Sequence, residues 1–361
     1  MMSNVGAWQM IECSNKVIQK DLEELVYSEC PLELMSKSDV LVTGASGLIG
    51  AQIVRTLACA NRIKNLDVRI WALVRDRKKA ELVFTDLLSR NDVNLIVGDV
   101  NDYLDFEGNI DYIIHAASPT SSRYFVTNPV ETILTAINGT KNVLELAKTK
   151  NIKSFVYLSS LEVYGVPTPG KEVVKEQDYG YIDPINIRSS YSEGKRMVEC
   201  LCASYVEEYG VPVKIARLSQ TFGAGVDYND SRVFAEFARC AVEGRDIVLH
   251  TEGKTLRTYC YIKDAISAIF YIMLQGENGR AYNVTNKNTA VTIYEMAECV
   301  SKLFKDNGIK VRIDVPENIA SFGYNPEMRI RLDSTCLEEL GWKPTVDLKE
   351  MFLRMIKSFE D

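Results

Sequence analysis

Tyr191 and Lys195 stand four residues apart in SSYSEGKRMVECLCASYVEEYG, a spacing that puts both side chains on one face if the segment is helical. An ammonium beside a phenol favours the phenolate and draws the tyrosine pKa down from about 10 toward neutrality. Tyr191 is thereby suited to shuttle a proton. A Tyr-x-x-x-Lys pair recurs by chance in a chain with 18 tyrosines, so its surroundings decide. It lies downstream of the apolar run SFVYLSS at 154–160, whose terminal Ser159 and Ser160 hydroxyls can hydrogen-bond a reacting oxygen.

A second constellation lies upstream. The run DVLVT at 39–43 leads into Gly44, Ala45, Ser46, Gly47, Leu48, Ile49 and Gly50, followed by the helical pattern AQIVRTLACA. Glycines between a strand and a helix permit a tight turn, close approach of backbone to a pyrophosphate, and close helix packing, with the helix N-terminus favouring the phosphates. Gly44, Ser46, Gly47, Leu48, Ile49 and Gly50 are therefore expected to bind a dinucleotide. The second strand is expected to end before Arg75. A carboxylate there would accept from the ribose hydroxyls of NAD, whereas arginine suits the 2′-phosphate of NADP, with Arg77 and Lys78 adding charge. NADP is favoured over NAD, although Asp76 follows directly. Asp99 and Val100 in VGDV are expected near the adenine, and Ala116, Ala117 and Ser118 along the cofactor path.

The elements that must position these groups alternate. Apolar, mostly β-branched runs at 39–43, 68–74, 94–98, 111–116, 154–160 and 213–217 are separated by helical patterns, which predicts βαβ units. Pro129 to Lys148 carries a helical apolar stripe. After Tyr164 the rhythm breaks at Pro167, Pro169, Gly170, Gly180 and Pro184, an insertion expected to border a cleft. The fold class is α/β: a Rossmann-type doubly wound parallel sheet with a smaller C-terminal α+β substrate lobe. Residues 1–37 are expected to form a helical extension and 38–218 the dinucleotide domain, completed from about 259–288. Residues 219–258 and 289–361 are expected to form the discontinuous lobe.

A chain of 361 residues has ample core for this. Its net charge of -7 opposes binding to nucleic acid. The nine cysteines include no CxxC pair, and Cys200 and Cys202 are too close for a usual bridge, so a reducing cytoplasm fits. The first 37 residues lack an apolar signal core, and no run of about 18 apolar residues would span a membrane. With only His115 and His250, no metal site is expected, and His115 at the end of an apolar run reads as structural.

Gly44 to Gly50, IIHAAS at 113–118, SSLEVYG at 159–165 and Tyr191 to Lys195 together resemble the extended short-chain dehydrogenase/reductase family, in its nucleotide-sugar epimerase, dehydratase and decarboxylase branch. The likeness spans about residues 39–345. Through RSSYSEGKRMVE at 188–199, DSRVFAEF at 230–237 and LRTYCYIKDA at 256–265 the pattern is most similar to that of UDP-glucuronate decarboxylases and their dehydratase relatives. The resemblance implies that Tyr191 takes the proton of the sugar 4-hydroxyl as hydride leaves C4, that Ser160 orients that hydroxyl, and that Lys195 holds the phenolate and the nicotinamide ribose. It implies contact of Arg257, Arg232 and Gln220 with the nucleotide diphosphate and of His250 with the base. Ser118 and Ser159 are expected at the sugar. A homodimer pairing the Tyr191 helix with the helix near 129–148 is also implied.

Glu162 separates outcomes. Once C4 is a ketone the C5 hydrogen is acidified, and a nearby carboxylate can remove it in support of epimerisation or elimination. Leu161 departs from the resemblance, since dehydratases usually carry an acid there and decarboxylases a serine. The expected function is oxidation of a nucleotide sugar at C4 followed by epimerisation, dehydration or decarboxylation. An NADPH-dependent 4-keto-sugar reductase is the alternative suggested by Arg75. A cofactor-sensing binding protein without catalysis is a third, opposed by intact Ser160, Tyr191 and Lys195.

Overall fold

The computed structural model describes residues 13–316 and 327–361. In chain order the main elements are α1 (Lys16–Val26), β1 (Asp39–Thr43), α2 (Leu48–Lys64), β2 (Arg69–Val74), α3 (Arg77–Val83), β3 (Val93–Val97), β4 (Tyr112–His115), α4 (Ser122–Thr127), α5 (Pro129–Leu134), α6 (Thr140–Lys150), β5 (Ser154–Ser160), β6 (Val173–Val174), α7 (Ser189–Tyr209) and β7 (Val213–Leu218). There follow β8 (Gln220–Phe222), α8 (Val233–Glu243), β9 (Ile247–Leu249), β10 (Leu256–Tyr261), α9 (Ile262–Gln275), β11 (Ala281–Val284), β12 (Asn286–Thr292), α10 (Ile293–Leu303), β13 (Val311–Ile313), β14 (Arg331–Leu332), α11 (Thr335–Glu338) and α12 (Leu348–Glu360).

Each apolar run identified in the sequence is a strand, and the six pair in parallel with β11 in the order β11-β7-β5-β4-β1-β2-β3. Alternation splits their side chains between two cores. Val40, Val42, Ile70, Ile114 and Val156 face the layer of α2 and α9. Leu41, Ile113, Phe155 and Ile215 face that of α6 and α7. Strand order reverses between β1 and β4, which opens a crevice at their carboxyl ends. The other strands among the described residues form the smaller sheets β12-β10-β8, β13-β9 and β14-β6.

The helix expected over 129–148 is interrupted. Between α5 and α6, Thr135–Gly139 winds as a π-helix, a turn one residue wider than the α form. Gly139 there packs so closely on Val100 that a Cβ would stand 2.9 Å from its Cγ2.

Of the N-terminal extension, residues 1–12 lie outside the described part, and α1 is docked rather than projecting. Its apolar side, Leu22, Leu25 and Val26, joins the core. Its polar side meets the end of the chain: buried Asp21 accepts from Arg354 Nη1 at 2.5 Å and from the Tyr261 hydroxyl, and Glu24 pairs with Lys263 at 2.6 Å. Burial opposes ionisation of Glu24, but Arg354 and Lys263 outweigh it and hold its carboxyl down at about 2. Arg354→Ala strands a buried carboxylate, and the expected cost is about 3 kcal/mol. Urea unfolding checks it, and an unchanged midpoint would show that α1 is held by apolar contact alone.

Candidate functional site

β1 ends at Thr43, and the chain turns at Gly44 with φ at 64°. A Cβ at Gly44 would stand 2.7 Å from the Ala117 backbone, and one at Gly50 would stand 2.4 Å from the Gly44 carbonyl oxygen. Glycine alone lets this loop pass the end of β4 while the first turn of α2 closes on it. α2 opens at Gly47 without a side-chain cap or an acidic residue in its first turn. Its N-terminal dipole is thus left for an anion, and the cradle of Gly44, Ser46, Gly47, Leu48, Ile49 and Gly50 fits a dinucleotide pyrophosphate.

Around the cradle, Arg75 is the first residue past β2 and is exposed. Asp76 instead N-caps α3, its carboxylate accepting from the Lys79 amide at 3.1 Å. Asp99 accepts from the Asn101 amide at 2.9 Å, and Val100 is buried beneath the π-helical turn. Ala116, Ala117 and Ser118 follow β4, half-buried. His115 is buried between Thr43 at 2.7 Å and Thr140 at 3.1 Å. Burial, and then Lys195, pushes its pKa down to about 3, so it is a neutral strut.

On α7, Tyr191 and Lys195 share a face. Tyr191 stacks on Phe125 of α4 with centroids 4.2 Å apart and planes at 11°. Lys195 is buried, donates to the Leu158 carbonyl at 2.7 Å, and lies 5.7 Å from the Tyr191 ring centroid. The expected lowering of the tyrosine pKa is not what this geometry gives. Burial pushes the phenol up to about 12, against a hydrogen bond with Ser160 that draws it down. The ammonium is turned to the β5 carbonyl, so burial prevails. Burial also lowers Lys195 to about 8, resisted by Glu199 and Cys202.

Ser160 accepts from the Glu162 amide at 3.2 Å, which starts the 3-10 turn Leu161–Tyr164. That turn sends neighbours in opposite directions. Leu161 is buried with Val163, Val174, Ile330 and Leu332, whereas Glu162 faces α7, accepting from Ser192 Oγ at 3.2 Å and pairing with Arg188 at 3.5 Å. Ser159, expected at the sugar, points inward: it is buried and donates to Glu199 at 2.6 Å. Strand alternation gives Ser160 to the cleft and Ser159 to the interior.

On the lobe side, Gln220 of β8 pairs in register with Tyr259 of β10. Arg257, two residues earlier on β10, has a buried Nε without a hydrogen-bond partner among the described residues. A buried, orphaned cationic donor is the exception that calls for an anionic ligand. Arg232 is engaged by Asp230, its Nη2 at 2.6 Å from Oδ2, with its guanidinium 4.7 Å over Phe234. His250 follows β9, its Nδ1 3.1 Å from the Asp314 carbonyl. Among the described residues no cluster of three metal-ligating side chains occurs, and no helix is long and apolar enough to cross a membrane.

Sequence reasoning passed over Arg188, Ser192, Glu199 and Arg217. The first three share the three- and four-residue rhythm of Tyr191 and Lys195 along α7, which would have signalled one polar face. Arg217 had no such signal, being a charge inside an apolar run.

Residues 40–285 match the NAD dependent epimerase/dehydratase family. UDP-glucuronic acid decarboxylase 6 of Arabidopsis thaliana is 32% identical over 326 residues, covering 90% of this chain and 89% of its own. Among solved structures, an epimerase of Methanothermobacter thermautotrophicus superposes with TM-score 0.75 at 20% identity, covering 96% of both chains. The UDP-glucuronic acid 4-epimerase of Bacillus cereus, solved with NAD, gives TM-score 0.71 at 20% identity over 89% of this chain and 96% of its own. The glycine cradle, the parallel sheet and the match over 40–285 agree: this chain is an enzyme of the NAD-dependent epimerase/dehydratase family.

Proposed function

We propose that the protein oxidises a nucleotide-linked sugar at C4 with a retained nicotinamide dinucleotide, that its substrate is a UDP-linked uronic acid, and that decarboxylation is its net reaction. The observation that carries the reading is the Ser160, Tyr191 and Lys195 unit beside the glycine cradle, with Glu162 held next to it by Ser192 and Arg188. The UDP-glucuronic acid decarboxylases among its relatives favour the uronate. A uronic acid oxidised at C4 is a β-keto acid, which loses carbon dioxide without help from the side chain at Leu161.

Tyr191 accepts the C4 hydroxyl proton, Ser160 orients that hydroxyl, and Lys195 steadies the phenolate and the nicotinamide ribose. When bound, the dinucleotide supplies a reversible hydride acceptor and a positive charge that favours the phenolate. Gly44 to Gly50 hold its pyrophosphate, Asp99 and Val100 its adenine end, and Ala116, Ala117 and Ser118 its path across β4. Arg257 and Arg232 meet the substrate diphosphate, assisted by Gln220, with His250 toward the base. Glu162 handles the proton at C5. Incubation with UDP-glucuronate and a nucleotide-sugar panel, followed by mass spectrometry with and without NADPH, tests this. Loss of carbon dioxide without added NADPH is expected. Stoichiometric consumption of NADPH with gain of two hydrogens would replace it with the 4-keto-sugar reductase reading.

Arg75 supports that second reading and a preference for NADP, because Asp76 is engaged as a helix cap. Arg75→Asp is expected to weaken NADP relative to NAD by about 10- to 100-fold, the value of a charge-assisted contact. Paired binding titrations measure it, and an unchanged ratio removes Arg75 from cofactor choice.

The enzyme works as a homodimer in the cytoplasm. α5 and α7 lie side by side and leave Val130, Ile133, Leu134 and Met197 exposed together, a face that a second copy would cover. The nine free thiols suit a reducing compartment. Light scattering at micromolar concentration should give the dimer mass, and a monomer would refute the pairing.

A further inference from the structure

Beneath the Tyr191 face of α7 lies a buried ion pair that the reaction as described leaves unused. Arg217 of β7 donates to both carboxylate oxygens of Glu199, Nε to Oε1 at 3.0 Å and Nη2 to Oε2 at 2.6 Å. Both side chains are nearly free of solvent, at 2% and 8% exposure. The same guanidinium reaches the insertion that follows β5. It donates to the Tyr164 hydroxyl at 2.9 Å, the Glu176 carbonyl at 2.6 Å and the Tyr179 hydroxyl at 2.5 Å, and lies 5.0 Å from both ring centroids. Glu199 also takes the Ser159 hydroxyl, next to Ser160.

We propose that Glu199 and Arg217 are positioning residues for the reaction: Glu199, one helical turn from Lys195 and fixed by Ser159 and Arg217, keeps the Lys195 ammonium charged, and Arg217 ties the 165–188 insertion to the helix that carries Tyr191 and Lys195. A buried charge pair is a poor source of stability compared with apolar side chains of the same volume, so its presence under the reacting face calls for another role. Glu199 lies one helical turn beyond Lys195, and its charge opposes the burial that lowers that ammonium to about 8. The ionisable groups facing Lys195 are Tyr191, Glu199 and Cys202 on its own helix, Tyr157 of β5 at 4.6 Å and His115 of β4, with Arg217 of β7 behind Glu199. Glu199 is the one acid in that set. As pH rises through the Lys195 value the ammonium is lost, and removing Glu199 must bring that loss to lower pH.

The inference rests on the reading of Tyr191 and Lys195 as the proton-transfer pair, and the experiment separates the two. Glu199→Gln, and the neutralised pair Glu199→Gln with Arg217→Gln, are assayed for kcat/KM against pH on the holoenzyme. The alkaline limb is expected to move down by about one pH unit in Glu199→Gln, with kcat/KM about fivefold lower at pH 8, and by less in the pair, where the opposing Arg217 cation is gone as well. Tyr179→Phe, at a half-exposed position, is expected to fold and to raise KM several-fold with the limb unmoved. Folded Glu199 variants with a wild-type limb overturn the role of Glu199, and a wild-type KM in Tyr179→Phe overturns the tether. If Tyr191→Phe is inactive while these variants behave as wild type, this inference alone fails. If Tyr191→Phe is active, the underlying reading fails first.

Discussion

Tyr191→Phe is expected to lower kcat by about a thousandfold while leaving dinucleotide affinity within about twofold, since general acid–base groups contribute in that range. The substitution removes one oxygen and little else. The ring keeps its stacking on Phe125 at 4.2 Å, and the phenol that is lost hydrogen-bonds to Ser160, not to the glycine cradle. Burial pushes the phenol up to about 12, against the hydrogen bond with Ser160, so a positive charge beside it favours proton transfer. Because the lost oxygen touches Ser160 and not the cradle, cofactor binding and turnover are expected to respond separately. Quenching of intrinsic fluorescence gives the first, and product formation from UDP-glucuronate the second. Turnover within tenfold of wild type would remove Tyr191 from proton transfer.

The separation between what was legible and what was not follows the length scale of each signal. The strands at 39–43 and 154–160 appear with the bounds read from the sequence, because a parallel strand buried on both faces is a continuous apolar run. β11, the AYNV segment of only four residues, has no such run, yet it completes the sheet beside β7. The π-helical turn at 135–139 was hidden because the apolar stripe runs through it unbroken, and the close packing of its Gly139 on Val100, nearly 40 residues away in the chain, leaves no local signal. Tyr191, Lys195 and Ser160 were found through local spacing. The orientation of Ser159 toward Glu199 was not, because two adjacent serines at a strand end look alike until alternation assigns each a side.

Leu161 shows the same limit in a more consequential place. Read as a sequence position it is a missing acid or a missing serine. In the fold it packs against Val174, Ile330 and Leu332, joining the turn after β5 to the β14 segment. Its side chain is part of that small core, so on the proposed reading the chemistry beyond C4 is assigned to groups at the α7 side. Those groups are Glu162, Ser192 and Arg188, and they form a unit around a single carboxylate oxygen, Oε2.

Glu162→Gln therefore separates the two halves of turnover. The amide is the same size and still accepts from Ser192, but it loses the charge that pairs with Arg188 at 3.5 Å. Oxidation at C4, assigned in the proposal to Tyr191, Ser160 and Lys195, is expected to persist. The step that needs a proton moved at C5 is expected to slow by about a hundredfold, the value of a general acid or base. Reduced dinucleotide should then accumulate during a single turnover, visible in its near-ultraviolet absorbance, and a 4-keto sugar should appear among the released products. Deuterium from heavy water, carried into C5 of the product by the wild-type enzyme, should enter at the same reduced rate. Arg188→Ala is expected to reproduce the effect more weakly, because Ser192 still holds the carboxylate. If Glu162→Gln turns over at the wild-type rate without that build-up, Glu162 does no more than pair with Arg188, and the proton at C5 must come from water.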